Sequence, residues 1–103
     1  MLFSGEEWDQ VSLAEDAGAF DRLLVRFRDS DGRVCQPVVV RDGEGFSFTS
    51  IYSDQNGTYI KQQNNSLSGT VITRGAAWQR TLMSGAVSRD SYFAVVEVVG
   101  LRF

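Results

Sequence analysis

The fold is decided by residues 22–61, which read RLLVRFRDSDGRVCQPVVVRDGEGFSFTSIYSDQNGTYIK. Three Asp-x-x-Gly groups recur in this stretch, at residues 29–32, 42–45 and 54–57. Each group lies between segments rich in Val, Ile, Phe, Tyr and Thr, which are the residues that favour strands. Asp can hydrogen-bond the turn backbone, and Gly accepts the positive φ of a tight hairpin loop. The stretch therefore predicts consecutive antiparallel hairpins, a β-meander.

The strand register follows from asking which pairing collects the apolar side chains on one face. A two-residue loop at residues 31–32 and three-residue loops at the second and third turns satisfy this condition. The predicted partners are Leu23–Val40, Val25–Val38, Val40–Phe48 and Tyr52–Ile60. A slip of one residue would turn every side chain of a strand to the opposite face, so the apolar pattern selects this register.

The opposite face of the predicted sheet is basic, because Arg alternates with apolar residues along positions 22–28. We name it the Arg face, and its polar candidates for partner binding are Arg22, Arg26, Arg28, Arg41, Lys61 and Tyr59. Nine of the ten basic residues in the chain are Arg, whose planar guanidinium suits interfaces and ion pairs. Three interpretations remain open: a helix formed by the acidic N-terminal residues lies over this face, water solvates it, or an acidic partner binds it.

Residues 4–18 predict an N-terminal helix. Ser4 and Glu7 have the spacing of a capping box, and Trp8, Val11 and Ala14 follow at helical spacing. The segment is acidic and contains no base. Its candidate contacts to a basic partner are Glu6, Glu7 and Asp9.

The last third of the chain predicts a loop at 64–69, a short strand at 70–74 and a loop at 85–90. Residues 76–83 favour a short helix, and the alternative is a strand made irregular by Gly75. Residues 92–99 are apolar at nearly every position except Glu97, which predicts a central strand covered on both faces. The predicted fold class is α+β: one domain over residues 1–103, with a meander of about five or six strands and the N-terminal helix packed on it. A small, partly closed barrel is the variant, because exposed sheet edges need closing or covering.

Composition excludes several classes of function. A chain of 103 residues with no His and one Cys has no Ser–His–Asp triad, no Cys–His pair and no internal disulfide. The net charge of −3 disfavours binding to nucleic acid. The Asp-rich turns resemble the start of a calcium loop, but their twelfth positions are Val40 and Asn65, so neither a metal nor a cofactor is predicted. The N-terminal residues lack a signal-peptide pattern and no apolar run could span a bilayer, which together with the single Cys35 predicts a cytoplasmic protein without a membrane partner.

The leading interpretation is a non-enzymatic module for protein binding or assembly, whose partner is another protein or a second copy. Small acidic proteins of this kind occur, by analogy, as accessory or virion-assembly parts of phages and mobile elements. One alternative is an inhibitor or immunity-type protein whose acidic helix blocks a basic site on a toxin or a nucleic-acid enzyme. A second alternative is a small carboxylate-based enzyme or ligand binder that uses Glu97.

Overall fold

The computed structural model describes residues 1–30, 32–33, 35–55, 57–82, 84–89 and 91–103. The strands are β1 (Phe3–Glu7), β2 (Gln10–Ser12), β3 (Arg22–Asp29), β4 (Val38–Val40), β5 (Gly45–Asp54), β6 (Gly57–Ser68), β7 (Val71–Thr81), β8 (Val87–Arg89) and β9 (Phe93–Leu101). A single 3₁₀ turn, Ala17–Ala19, accounts for the helical part of the described residues. The architecture is therefore nearly all strand, and the predicted α+β class is wrong.

The strands form two antiparallel sheets that pack face to face. Sheet A has the order β1-β9-β3-β4, and sheet B has the order β2-β7-β6-β5. Strand β8 pairs with the C-terminal part of β7, at residues 78–80. Phe27 of sheet A stacks on Phe48 of sheet B with ring centroids 4.1 Å apart, and Phe93 meets both rings edge to face. The core lies between the sheets, which is the sandwich arrangement rather than a closed barrel.

The predicted N-terminal helix is absent from the described residues, because residues 3–12 form strands β1 and β2. The first pairs with β9 of sheet A and the second with β7 of sheet B, so this short segment joins the two layers. Val11 and Leu13 are buried on alternate positions, which is the strand period. A lone helix of this length gains little stability in water, and the strand ladders give its backbone better partners.

The chain leaves sheet A after β4 and enters sheet B at β5, so the predicted meander is divided between two sheets. The first predicted hairpin register is confirmed, with Leu23 opposite Val40 and Val25 opposite Val38. The predicted pair Val40–Phe48 is wrong, because these residues belong to different sheets and meet through the core. The second Asp-x-x-Gly group is the crossing between the sheets, where Gly43 has a φ of +80°.

The hairpin of β5 and β6 closes with one residue fewer than predicted. Tyr52 lies opposite Tyr59 instead of Ile60, so β6 is displaced by one position from the prediction. Its inward side chains are consequently polar for most of its length. Lys61, Gln63 and Asn65 are buried, and the apolar Leu67 follows them. The placement of Lys61 on the exposed Arg face was therefore wrong, as a one-residue slip requires.

Strands β6 and β7 continue through the segments predicted as a loop at 64–69 and a helix at 76–83. An irregularity in the ladder near Gly75 lets β7 run on to Thr81; a Cβ at this glycine would lie 3.0 Å from the Asn64 carbonyl oxygen. The predicted loop at 85–90 contains the short strand β8. The predicted central strand is confirmed: β9 lies between β1 and β3, and it is buried on both faces from Phe93 to Val95.

Candidate functional site

The Arg face of sheet A is an array of ion pairs within the chain. Arg26 Nε lies 3.0 Å from Glu97 Oε1 of the neighbouring strand, and Arg28 pairs with Glu6 of β1. The predicted acidic helix does not cover these arginines, because Glu6 lies in strand β1. Glu97, the acid considered for catalysis, therefore has a structural partner on an outer sheet surface.

The remaining candidates from the sequence are dispersed. Arg41 pairs with Glu44 at 3.3 Å in the crossing between the sheets, and Arg22 donates to the Asp21 carbonyl oxygen at 2.7 Å. Asp9 is exposed and lies 3.7 Å from Arg74. Tyr59 stacks on Tyr52 and Glu7 is exposed in β1. The structure does not bring these residues together into one site.

A cavity of about 300 Å³ lies on the Arg face and is lined in part by Arg26, Arg28, Val96 and Cys35. Both guanidinium groups already have carboxylate partners, which reduces their attraction for an added anion. Burial raises the pKa of the Cys35 thiol, and the hydrogen bond to the Ser50 side chain opposes this only in part. A thiol with a raised pKa is a weaker nucleophile than an ordinary one, because less of it is thiolate at neutral pH.

The most deeply buried ionic group is Lys61, which sequence reasoning placed at the surface. Its Nζ donates to Asp29 Oδ1 at 2.7 Å, to the Tyr92 carbonyl oxygen at 2.9 Å and to Ser30 Oγ at 3.3 Å. The three ammonium protons thus have three acceptors, and the ion lies 4.6 Å from the centre of the Phe93 ring. This arrangement joins the end of β3 to β6 and serves to hold the two sheets together.

The edges of the two sheets differ in how they are protected. Strands β2, β4 and β8 are three residues long, β4 follows Pro37, and β1 ends in the acids Glu6 and Glu7. Short length, proline and charge are the usual means of preventing another chain from pairing with an edge. By contrast, β5 is ten residues long, stands at the end of sheet B, and has neither charge nor proline from Gly45 to Ser53.

The backbone groups of β5 that face outward follow from its ladder with β6. Leu67 N–H donates to the Glu44 carbonyl oxygen at 3.0 Å, so even-numbered positions of this ladder are bonded toward β6. In an antiparallel ladder the intervening residues direct their N–H and C=O groups the other way. Beyond Gly45 at its first position, four such residues lie along the open edge: Ser47, Thr49, Ile51 and Ser53.

A groove of about 370 Å³ runs beside the middle of this edge. It is lined by Cys35 and Gln36 on one side and by Thr49, Ser50 and Ile51 of β5 on the other. The Ile51 side chain is 66% exposed, a large value for a residue of this type. We name this feature, the outward residues of β5 with the adjoining groove, the β5 edge. Sequence reasoning missed it, although the uncharged run from Gly45 to Ser53 was a visible signal.

The described residues contain no group of three or more acids and cysteines placed to hold a metal ion. Within the same part of the chain, no helix has the length and apolar character needed to cross a membrane. Comparison with protein-family models, with curated proteins and with solved structures gave no significant match.

Proposed function

We propose that this protein is a non-enzymatic assembly module that binds another polypeptide by accepting a strand along the β5 edge. The observation that supports this proposal is the contrast between β5, long and unprotected, and the short or charged edges elsewhere in the described sheets. Strand addition satisfies the outward backbone groups of the receiving edge and those of the incoming segment at once. An assembly part of a phage or mobile element is one setting in which such a module would act.

The chemistry of the edge defines what it would bind. Four residues present backbone donors and acceptors, so the partner is an extended segment that contributes its own main chain. The groove beside Ser50 offers space for side chains on the inner face of that segment, and the exposed Ile51 offers an apolar contact on the outer face. Since this part of β5 lacks charge, an uncharged segment rich in β-branched or aromatic residues fits best.

Thr49→Pro tests this function with a minimal change. The Thr49 N–H points away from β6, so proline removes an outward donor and obstructs the edge without breaking a bond of the sheet. A displayed library of peptides of about twelve residues would be selected on the wild-type protein, and the selected peptides measured by fluorescence polarisation. We expect Thr49→Pro to weaken binding about tenfold or more, from the lost hydrogen bond and the ring clash.

Thr49→Val is the matched control, because it keeps the backbone N–H and nearly the same side-chain volume. It should bind the selected peptides as the wild type does. Selection of peptides that bind Thr49→Pro and wild type equally well would place the binding surface elsewhere and overturn the proposal. Circular dichroism of both variants would verify that the sheets remain folded.

A further inference from the structure

We propose that the strand accepted by the β5 edge is β5 of a second copy of this chain, paired antiparallel about a two-fold axis at Ser50. This inference rests on the proposed function and names its partner. Pairing of identical edges is isologous, so each copy both gives and receives the same strand. The two copies of sheet B would then form one continuous sheet across the axis.

The spacing of the outward residues permits this register. Ser47, Thr49, Ile51 and Ser53 are symmetric about Ser50, so an antiparallel copy sets Ser47 opposite the partner's Ser53 and Thr49 opposite the partner's Ile51. Each of these four residues in each copy then belongs to a hydrogen-bonded pair. Four pairs with two bonds each give about eight hydrogen bonds across the axis.

The side chains favour the same register over its neighbour. With the axis at Ser50, the exposed Ile51 meets a β-branched threonine of the partner. With the axis moved to Thr49, Ile51 would face a serine instead. A pair of β-branched residues stabilises a ladder more than a pair that contains serine, so the axis at Ser50 is preferred.

Charge supports a second copy as the occupant. Each molecule has a net charge of −3, which opposes close approach of two copies through most surfaces. The run from Gly45 to Ser53 contains no charged residue, so two β5 strands can meet without placing like charges opposite each other. The groove beside Thr49, Ser50 and Ile51 also lies at the proposed axis, where both copies would share it.

Disulfide trapping of Ser50→Cys in a Cys35→Ser background tests the register. Residues at the axis form a non-hydrogen-bonded pair with Cα atoms about 4.5 Å apart, within the range that a disulfide can span. We expect Ser50→Cys to form a covalent dimer on mild oxidation of the purified full chain. Ser53→Cys in the same background is the matched control, because its two copies would lie at opposite ends of the paired strands.

The outcomes separate this inference from the proposed function. Selective cross-linking of Ser50→Cys, together with a dimer by sedimentation that Thr49→Pro abolishes, would support the second copy. Equal cross-linking of both cysteine variants, or a monomer at high protein concentration, would overturn it. If such a result is found but the selected peptides bind wild type and do not bind Thr49→Pro, the β5 edge still accepts a strand and only the second copy is rejected. If no peptide binds at the β5 edge either, the proposed function is rejected as well.

Discussion

At the scale of single residues, the ion pair of Lys61 and Asp29 is the feature with the largest energetic consequence. Both side chains are sealed from solvent, at 1% and 2% exposed. Removing two charges from water is costly, and the cost is recovered only when the remaining hydrogen-bonding positions are filled. The contacts from Lys61 to Tyr92 and Ser30 fill the remaining positions of the ammonium group, which helps a polar strand face to line the core.

Lys61→Met should therefore be strongly destabilising, because it leaves the Asp29 carboxylate buried without its ammonium partner. We expect a loss of about 3–5 kcal/mol in the free energy of unfolding, measured with urea. The double variant Lys61→Met with Asp29→Asn removes both charges and should recover part of this loss.

Arg26→Met provides the comparison for an exposed ion pair. The side chains of Arg26 and its partner Glu97 are 51% and 32% exposed. Such exposed pairs contribute about 0–1 kcal/mol to the free energy of unfolding. Equal losses for Lys61→Met and Arg26→Met would show that the buried pair does not have the role assigned to it.

At the scale of elements, sequence reasoning succeeded where side-chain pattern and partner agreed. The register of β3 with β4 and the central position of β9 follow from apolar periodicity, and both are confirmed. The N-terminal helix failed because a capping box and helical spacing are local signals, whereas the ladders to β9 and β7 are long-range. The predicted register of β6 was wrong for another reason. A row of polar side chains such as Lys61, Gln63 and Asn65 is typical of a solvent-facing surface, and only their hydrogen-bond partners show that they can be buried.

The same limit explains which part of the candidate site was foreseen. The alternation along β3 correctly put the arginines of this strand on the side away from the core, but the pairing of Arg28 with Glu6 required the position of β1. The β5 edge depends on which strand ends a sheet, and that is a property of topology rather than of any segment. An uncharged run of residues indicates an open sheet edge only when its strand is known to pair with a single neighbouring strand.

Element packing at the end of β9 can be tested at Gly100. A Cβ at this position would lie 2.4 Å from two atoms of the Phe20 ring, so the ring that ends the 3₁₀ turn rests directly on the glycine backbone. Gly100→Ala should cost about 1–3 kcal/mol by overpacking, measured as a shift in the urea midpoint. In a Phe20→Ala background the same substitution should cost little, since the obstructing ring is gone. An equal cost in both backgrounds would show that the ring contact is not its cause.

At the scale of the whole molecule, shape and charge point to different surfaces. The molecule is elongated, measuring 45 × 22 × 20 Å, and the long strands β5, β6 and β7 have 10, 12 and 11 residues. Two ion pairs within the chain lie on the Arg face, whereas β5 has no charged residue from Gly45 to Ser53. An assembly contact through β5 would therefore depend on hydrogen bonds and apolar contact, and a contact through the Arg face would depend on charge.

Salt dependence distinguishes these two modes of association. Raising the NaCl concentration from about 0.05 M to about 0.5 M shortens the screening length from roughly 14 Å to roughly 4 Å. Because the copies repel each other through a net charge of −3 and β5 is neutral from Gly45 to Ser53, we expect the dimer dissociation constant to stay within about twofold or to fall. Sedimentation velocity at both salt concentrations measures this, with Thr49→Pro as the monomeric reference. Dissociation of the dimer on adding salt would instead implicate the Arg face, since only contacts between opposite charges weaken under screening.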